Sequence, residues 1–247
     1  VLAAIGVKIS FESESEKTLK TIGLVGGLSW ASTLEYYRII NEEMGQRLGG
    51  VSSAKMAIQS VNFEEIWSAH TNGNWEIIAE IIVDAAKRLE RAGADFVLIC
   101  SNTMHFLADK VAAEVSIPLL HIGEAVARDL EKHGIKKAAL LGTKFTMENP
   151  FYRGALERKG FEILTPLPEQ RDFMEKAIVE EMVRGQFLPK SKEGFLEIIA
   201  SLKEKGAQAA ILGCTEIPIL LEKTEGPLPY IDTLRIHALD AVSQALR

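Results

Sequence analysis

From Thr21 onward, short apolar runs alternate with longer segments whose apolar residues recur at helical spacing. Ile22–Val25, Met56–Gln59, Phe96–Cys100 and Pro118–Ile122 read as strands. Phe96–Cys100 is apolar throughout, as a strand covered on both faces should be. Helices are predicted over Ser29–Arg47, Trp75–Arg91 and Thr103–Val115. In Trp75–Arg91, residues Ile78, Ile81, Ile82, Ala85 and Leu89 share one face, and Gly93 follows the helix end. The same rhythm then returns. Glu124–His133, residues 150–158, Glu169–Arg184, Gly194–Lys205 and Leu234–Leu246 read as helices, and Ala138–Leu141, Phe161–Leu164, Ala209–Gly213 and Leu228–Asp232 as strands. Such alternation implies mainly parallel sheets covered by helices.

The second half repeats the first in detail. Gly93-Ala94-Asp95-Phe96-Val97-Leu98-Ile99-Cys100-Ser101 matches Gly206-Ala207-Gln208-Ala209-Ala210-Ile211-Leu212-Gly213-Cys214, which sets Ser101 against Cys214. Upstream, Ile22-Gly23-Leu24-Val25-Gly26 matches Ala138-Ala139-Leu140-Leu141-Gly142. The expected fold is therefore α/β, with two similar domains related by a pseudo-twofold axis and an active site in the cleft between them. Residues 20–122 plus 223–247 are expected to form the first domain and residues 123–222 the second, with the last strand and helix returning to the first. Residues 1–19 read as an N-terminal appendage, with disorder expected in part of it. Their apolar start lacks a basic flank and a clear cleavage site, a poor signal peptide.

Composition narrows the classes. The 247 residues are 47% hydrophobic and 25% charged, as in ordinary soluble globular proteins. A net charge of −6 argues against nucleic acid as a partner, since phosphate binding needs a basic footprint. No apolar run approaches the roughly 20 residues that cross a bilayer, so no membrane partner is expected. Two cysteines make no disulfide framework. A free Cys214 thiol suits a reducing compartment, and a cytoplasmic location is expected.

Sites in parallel sheets lie beyond the carboxyl ends of the strands. Gly26-Gly27, Ser101, Gly142-Thr143 and Cys214 all fall at such ends. A helix starting at Thr215 would lower the Cys214 thiol pKa and let the thiolate exchange a proton with carbon. Ser101 is a poor base without activation and is equally suited to capping a helix. Strand alternation turns Cys100 to the other face, into packing. Asn102, Thr103 and Thr215 offer amides and hydroxyls for a carboxylate, or caps for their own helices. Thr143 and Thr146 offer similar donors. Gly23-Leu24-Val25-Gly26-Gly27 lacks the dinucleotide-binding spacing and reads as a tight turn that lets a ligand approach backbone. The histidines show no metal-ligand spacing and read as structural or exposed, and no metal is expected.

Gly26-Gly27-Leu28-Ser29-Trp30-Ala31-Ser32-Thr33, Ser101-Asn102-Thr103-Met104-His105 and Gly213-Cys214-Thr215-Glu216-Ile217 together resemble the aspartate/glutamate racemase family, nearest its aspartate and broad amino-acid racemase branch. The resemblance covers about residues 20–247. It implies two similar α/β domains, no pyridoxal phosphate or other cofactor, and a homodimer acting on a small amino acid. It also implies two catalytic cysteines working on opposite faces of the α-carbon. Cys214 matches the second; Ser101 stands where the first belongs. Ser29 falls in the family's substrate-binding segment, and the resemblance suggests Arg47 and Arg171 as binders of the side-chain carboxylate. The leading expectation is a cofactor-independent racemase of aspartate or glutamate using Cys214 and Ser101. The alternatives are an isomerase or decarboxylase of another small dicarboxylate, favoured by the missing first cysteine, and an inactive small-acid binding protein.

Overall fold

In the computed structural model, which describes residues 19–222 and 224–247, the strands Ile22–Gly26 (β1), Met56–Ser60 (β2) and Phe96–Ile99 (β3) form a parallel sheet in the order β2-β1-β3. Lys137–Gly142 (β4), Glu162–Leu164 (β5), Ala209–Gly213 (β6) and Tyr230–Asp232 (β7) form a second parallel sheet in the order β5-β4-β6-β7. The appendage expected over residues 1–19 lies, apart from Leu19, outside the described residues.

The repeat in the sequence is a repeat in the hydrogen-bond ladders. Ile22 pairs with Phe96 in the first sheet, and Ala138 pairs with Ala209 in the second. Ile22 also pairs with Met56, as Ala138 pairs with Ile163. The match extends one strand further than the sequence suggests. Leu119 makes a parallel bridge to Val97, and Tyr230 pairs with Ala210 at the equivalent place.

Both sheets are covered on two faces. Val25, Val97 and Ile99 face helix Trp75–Arg91 (α3), while Ile22, Leu24, Phe96, Leu98 and Cys100 face helix Trp30–Leu48 (α1) and helix Thr233–Ala245 (α11). Burial of each such aliphatic side chain is worth about 1.5–3 kcal/mol. In the second sheet, Ala138, Leu140, Ala209 and Ile211 pack beneath helix Ile122–Lys132 (α5) and helix Pro150–Glu157 (α7). The opposite face packs on helix Pro168–Lys176 (α8) and helix Pro189–Glu204 (α9).

The terminal helices are exchanged between the halves. α5 follows the Leu119 bridge of the first sheet but packs on the second; α11 follows β7 of the second sheet but packs on the first. The expectation that residues 223–247 return together to the first domain is thus corrected for the strand. β7 pairs with β6 and buries Ile231 in the second core, and only α11 crosses back. The reason is local: a parallel strand placed beside β6 lies in that sheet, while the helix after it covers the face that the first half leaves open.

Other departures concern helix continuity. Thr103–Val115 is a 3-10 turn over Thr103–Leu107 followed by a short helix, Ala108–Glu114 (α4). Glu169–Arg184 breaks after α8 into a π-helical turn, Ala177–Glu181, and a 3-10 turn that Gly185 ends at φ 75°. Two short helices, Phe63–Thr71 (α2) and Lys144–Glu148 (α6), had no prediction, and the helix expected from Thr215 starts at Ile217 and ends at Leu220 (α10).

Candidate functional site

A cavity of about 450 Å³ opens between the carboxyl ends of the two sheets. Ser101 and Cys214, equivalent in the repeat, both line it. Ser29, Asn102, Thr103, Thr143 and Thr215 line it as well.

The first-half wall begins where β1 ends. Gly27 has φ 79°, and a Cβ there would meet the Val61 carbonyl at 2.1 Å, so glycine alone fits this turn. Its amide donates to Thr33 Oγ1 at 2.9 Å. Ser29, which precedes α1, holds φ at 124°; among the described residues it is the one non-glycine with positive φ. Strain of this kind concentrates where a site needs it. Ser101 Oγ accepts a long hydrogen bond from the Met104 amide at 3.4 Å, so it caps the 3-10 turn while bordering the cavity. The Ser101 carbonyl accepts from His105 Nδ1 at 2.7 Å. A carbonyl only accepts, which fixes the proton on Nδ1; Nε2 then accepts from the Ile122 amide at 3.1 Å. Buried His105 therefore braces Ser101, and burial drives its pKa well down, keeping it neutral. Asn102 Nδ2 donates to Thr233 Oγ1 at 3.0 Å, while its buried Oδ1 has no partner.

On the second-half wall, Cys214 donates its thiol hydrogen to Glu216 Oε2 at 3.1 Å. The same oxygen accepts the Thr215 hydroxyl at 2.8 Å, and Thr215 Oγ1 accepts from Ser32 Oγ of α1 at 2.8 Å. This chain ties the two halves together beside the thiol. The lowered thiol pKa expected at Cys214 is not found. Burial pushes it well up and the Glu216 carboxylate adds to the rise. α10 starts only at Ile217 and spans four residues, so no helix dipole of any length points at the sulfur. Cys100 is buried in the first core and is likewise pushed up by burial.

Thr143 N-caps α6, accepting from the Thr146 amide at 3.2 Å. Thr146 itself is fully buried behind the cavity wall, bonded to Thr143 at 3.0 Å and to Thr103 at 3.2 Å. It positions donors of both halves and does not line the cavity.

The two arginines lie elsewhere. Arg47 pairs with Glu43 at 2.7 Å and donates to Ser243 of α11 at 3.0 Å. Arg171 pairs with Glu148 at 3.1 Å and donates to the Pro166 carbonyl at 3.1 Å. Neither borders the cavity. The residues that sequence reasoning missed are Glu216, Glu175 and His70, which do. Glu216 stood next to the Cys-Thr pair, and its charge was the available signal. Glu175 Oε2 accepts from the Lys144 amide at 2.6 Å. Burial lowers the pKa of His70. No group of three or more His, Cys, Asp or Glu side chains among the described residues could hold a metal ion. No helix among them is long and apolar enough to cross a membrane.

The model of the Asp/Glu/Hydantoin racemase family matches residues 25–241. The chain belongs to this family. Among solved structures, it is similar to a candidate Asp/Glu racemase from Yersinia pestis, with 41% identity and a TM-score of 0.87 over 92% of this chain and 100% of that one. An aspartate racemase homologue from Pyrococcus horikoshii is 35% identical with a TM-score of 0.81, again over 92% and 100%. The broad specificity amino-acid racemase RacX of Bacillus subtilis is 29% identical over 168 residues, covering 67% of this chain and 71% of that one. The chain spans less than two thirds of the length of curated glutamate racemases that it matches. As a family member it has the two-unit α/β architecture of its structural neighbours.

Proposed function

We propose that this protein is a cofactor-independent amino-acid racemase in which Cys214 and Ser101 serve opposite faces of the α-carbon. The observation that carries the reading is that these residues, equivalent in the repeat, border one cavity from the ends of equivalent strands.

The resting thiol is protonated, so a base must take its hydrogen before sulfur can act. Glu216 Oε2 already accepts that hydrogen. In the forward step the Glu216 carboxylate takes the thiol proton, and the thiolate removes the α-hydrogen. The C–H electron pair moves into the substrate carboxylate, giving an enediolate. Donors from Asn102, Thr103 and Thr215 suit that developing charge. The Ser101 hydroxyl then delivers a proton to the opposite face, water reprotonates its oxygen, and the hydroxide left takes the proton held on Glu216, which restores the carboxylate. In the reverse direction Ser101 would have to start as a base, which a serine hydroxyl does poorly. Enantiomers are equal in energy, so kcat/KM for inversion is the same in both directions; the asymmetry shows in α-proton exchange, which is faster for the enantiomer whose α-hydrogen faces Cys214.

The family resemblance suggested Arg47 and Arg171 as the binders of an acidic side chain. With both engaged outside the cavity, the side-chain class must be argued from the lining residues instead.

The test is incubation with enantiomers of amino acids in D₂O, following α-deuterium by NMR and configuration by chiral chromatography. Deuterium with inversion, lost in Cys214→Ala, is the expected result. Exchange that survives in Cys214→Ala would overturn the mechanism.

A further inference from the structure

Much of the cavity lining is apolar. Phe63, Ile66 and Trp67 of α2, Phe145 of α6, and Ile178 and Val179 of the π-helical turn belong to it. No lysine or arginine is among the described residues that line the cavity, and its ionisable groups apart from the thiols are Glu175, Glu216 and His70. The His70 ring packs edge-on against Phe145 and Trp75, with centroids 5.8 and 5.2 Å away, and its burial favours the neutral form.

These surroundings decide between side-chain classes. A side-chain carboxylate would lose its water, meet no fixed cation and face two carboxylates. Glu175 offers a carboxylate to the substrate ammonium, while Glu216 Oε2 already accepts from the thiol and Thr215. A second ammonium, on a basic side chain, would be left against aromatic and aliphatic walls. An uncharged side chain loses nothing on leaving water and fills the space.

Building on the racemase reading, we propose that the substrate is an α-amino acid with an apolar side chain of leucine, methionine or phenylalanine size, in place of aspartate or glutamate. The π-helical turn is the specificity element. It breaks what would be a continuous helix and sets Ile178 and Val179 toward the same cavity as Glu175.

The test uses the full chain in two measurements. Deuterium exchange is compared for both enantiomers of leucine, methionine, phenylalanine, aspartate, glutamate and lysine. Binding of the same compounds is measured by calorimetry on Cys214→Ala, which cannot turn them over. The expected kcat/KM for the apolar group exceeds that for aspartate and glutamate by at least about tenfold, a difference of about 1.4 kcal/mol. Val179→Arg should swing the ratio toward aspartate by a similar factor. Aspartate, glutamate or lysine exchanging as fast as leucine overturns the side-chain assignment and leaves the racemase reading intact. Apolar amino acids bound preferentially but never exchanged would support the assignment and overturn the racemase reading. Binding of none of the six overturns the assignment.

Discussion

Glu216 Oε2 accepts both the Cys214 thiol at 3.1 Å and the Thr215 hydroxyl at 2.8 Å. One oxygen thereby raises the thiol pKa and accepts its proton. Glu216→Gln separates these effects. Thiol alkylation in this variant should reach its midpoint at lower pH than in the parent, because the neighbouring negative charge is gone. Its α-proton exchange should fall on the order of 10²-fold, the low end of what a positioned base contributes. Exchange and alkylation moving in the same direction would refute the paired role.

Ser101→Cys should bring the α-deuterium exchange rates of the two enantiomers together. The slower enantiomer should gain at least about tenfold in exchange rate, since a thiol is a far better base than a serine hydroxyl at neutral pH. NMR of α-deuterium uptake from both starting enantiomers gives the comparison. An unchanged ratio would remove Ser101 from the proton path.

Arg47→Ala should leave activity within about twofold and stability within about 1 kcal/mol, as expected for the loss of a partly exposed ion pair. A large rise in KM for any substrate would return Arg47 to the binding site.

Buried histidines predict a pH dependence of stability. His237 Nε2 donates to the Leu120 carbonyl at 2.8 Å, so its Nδ1 accepts the Tyr36 hydroxyl at 2.8 Å. Burial lowers the His237 pKa to about 3, and His105 and His121 are lowered for the same leading reason. The unfolded chain takes up protons below about pH 6.5, while the native imidazoles do not. Stability is thus complete above that pH and declines as pH falls toward 3, by up to about 1.4 kcal/mol per pH unit for each such group. Urea midpoints at pH 8, 6 and 5 should drop in that order. His237→Gln should be less stable at pH 8 and show a shallower decline; midpoints that stay level from pH 8 to 5 would contradict this.

Ser29→Gly should raise the unfolding free energy by about 1 kcal/mol, because glycine tolerates φ 124° without the cost that serine bears. Denaturant titration measures it. A loss of stability would mean that the Ser29 side chain contributes more than its backbone costs.

The strands and their duplication were legible because each central strand is an unbroken apolar run ending in small residues. Gly93 and Gly206 open equivalent segments, with φ of 84° and 92°, so the repeat survives in geometry as well as in letters. Ser101, Asn102, Thr103, Thr143, Cys214 and Thr215, which line the cavity, could be singled out because they stand at strand ends. α2 was not predicted although Asn62 caps it and Phe63, Ile66 and Trp67 stand at helical spacing, because nine residues carry only one such set. The electrostatics of Cys214 were misread because sequence shows the neighbours of a thiol but not its burial. Arg47 lies in the last turn of α1, a place where a cation serves the helix end and Glu43 equally well. Neither role can be told from ligand binding by spacing.

The exchanged helices carry a consequence for how such a molecule could be assembled. A chain ending after α5 would leave Ile22, Leu24, Phe96 and Leu98 without the α11 part of their cover, while its own α5 would have no sheet to rest on. One half alone is therefore an incomplete protein. Two copies of it, each lending its final helix to the other, would close both cores. The covalent link through residues 133–136 makes permanent, within one polypeptide, a partnership that separate half-length chains could maintain only by finding each other in solution.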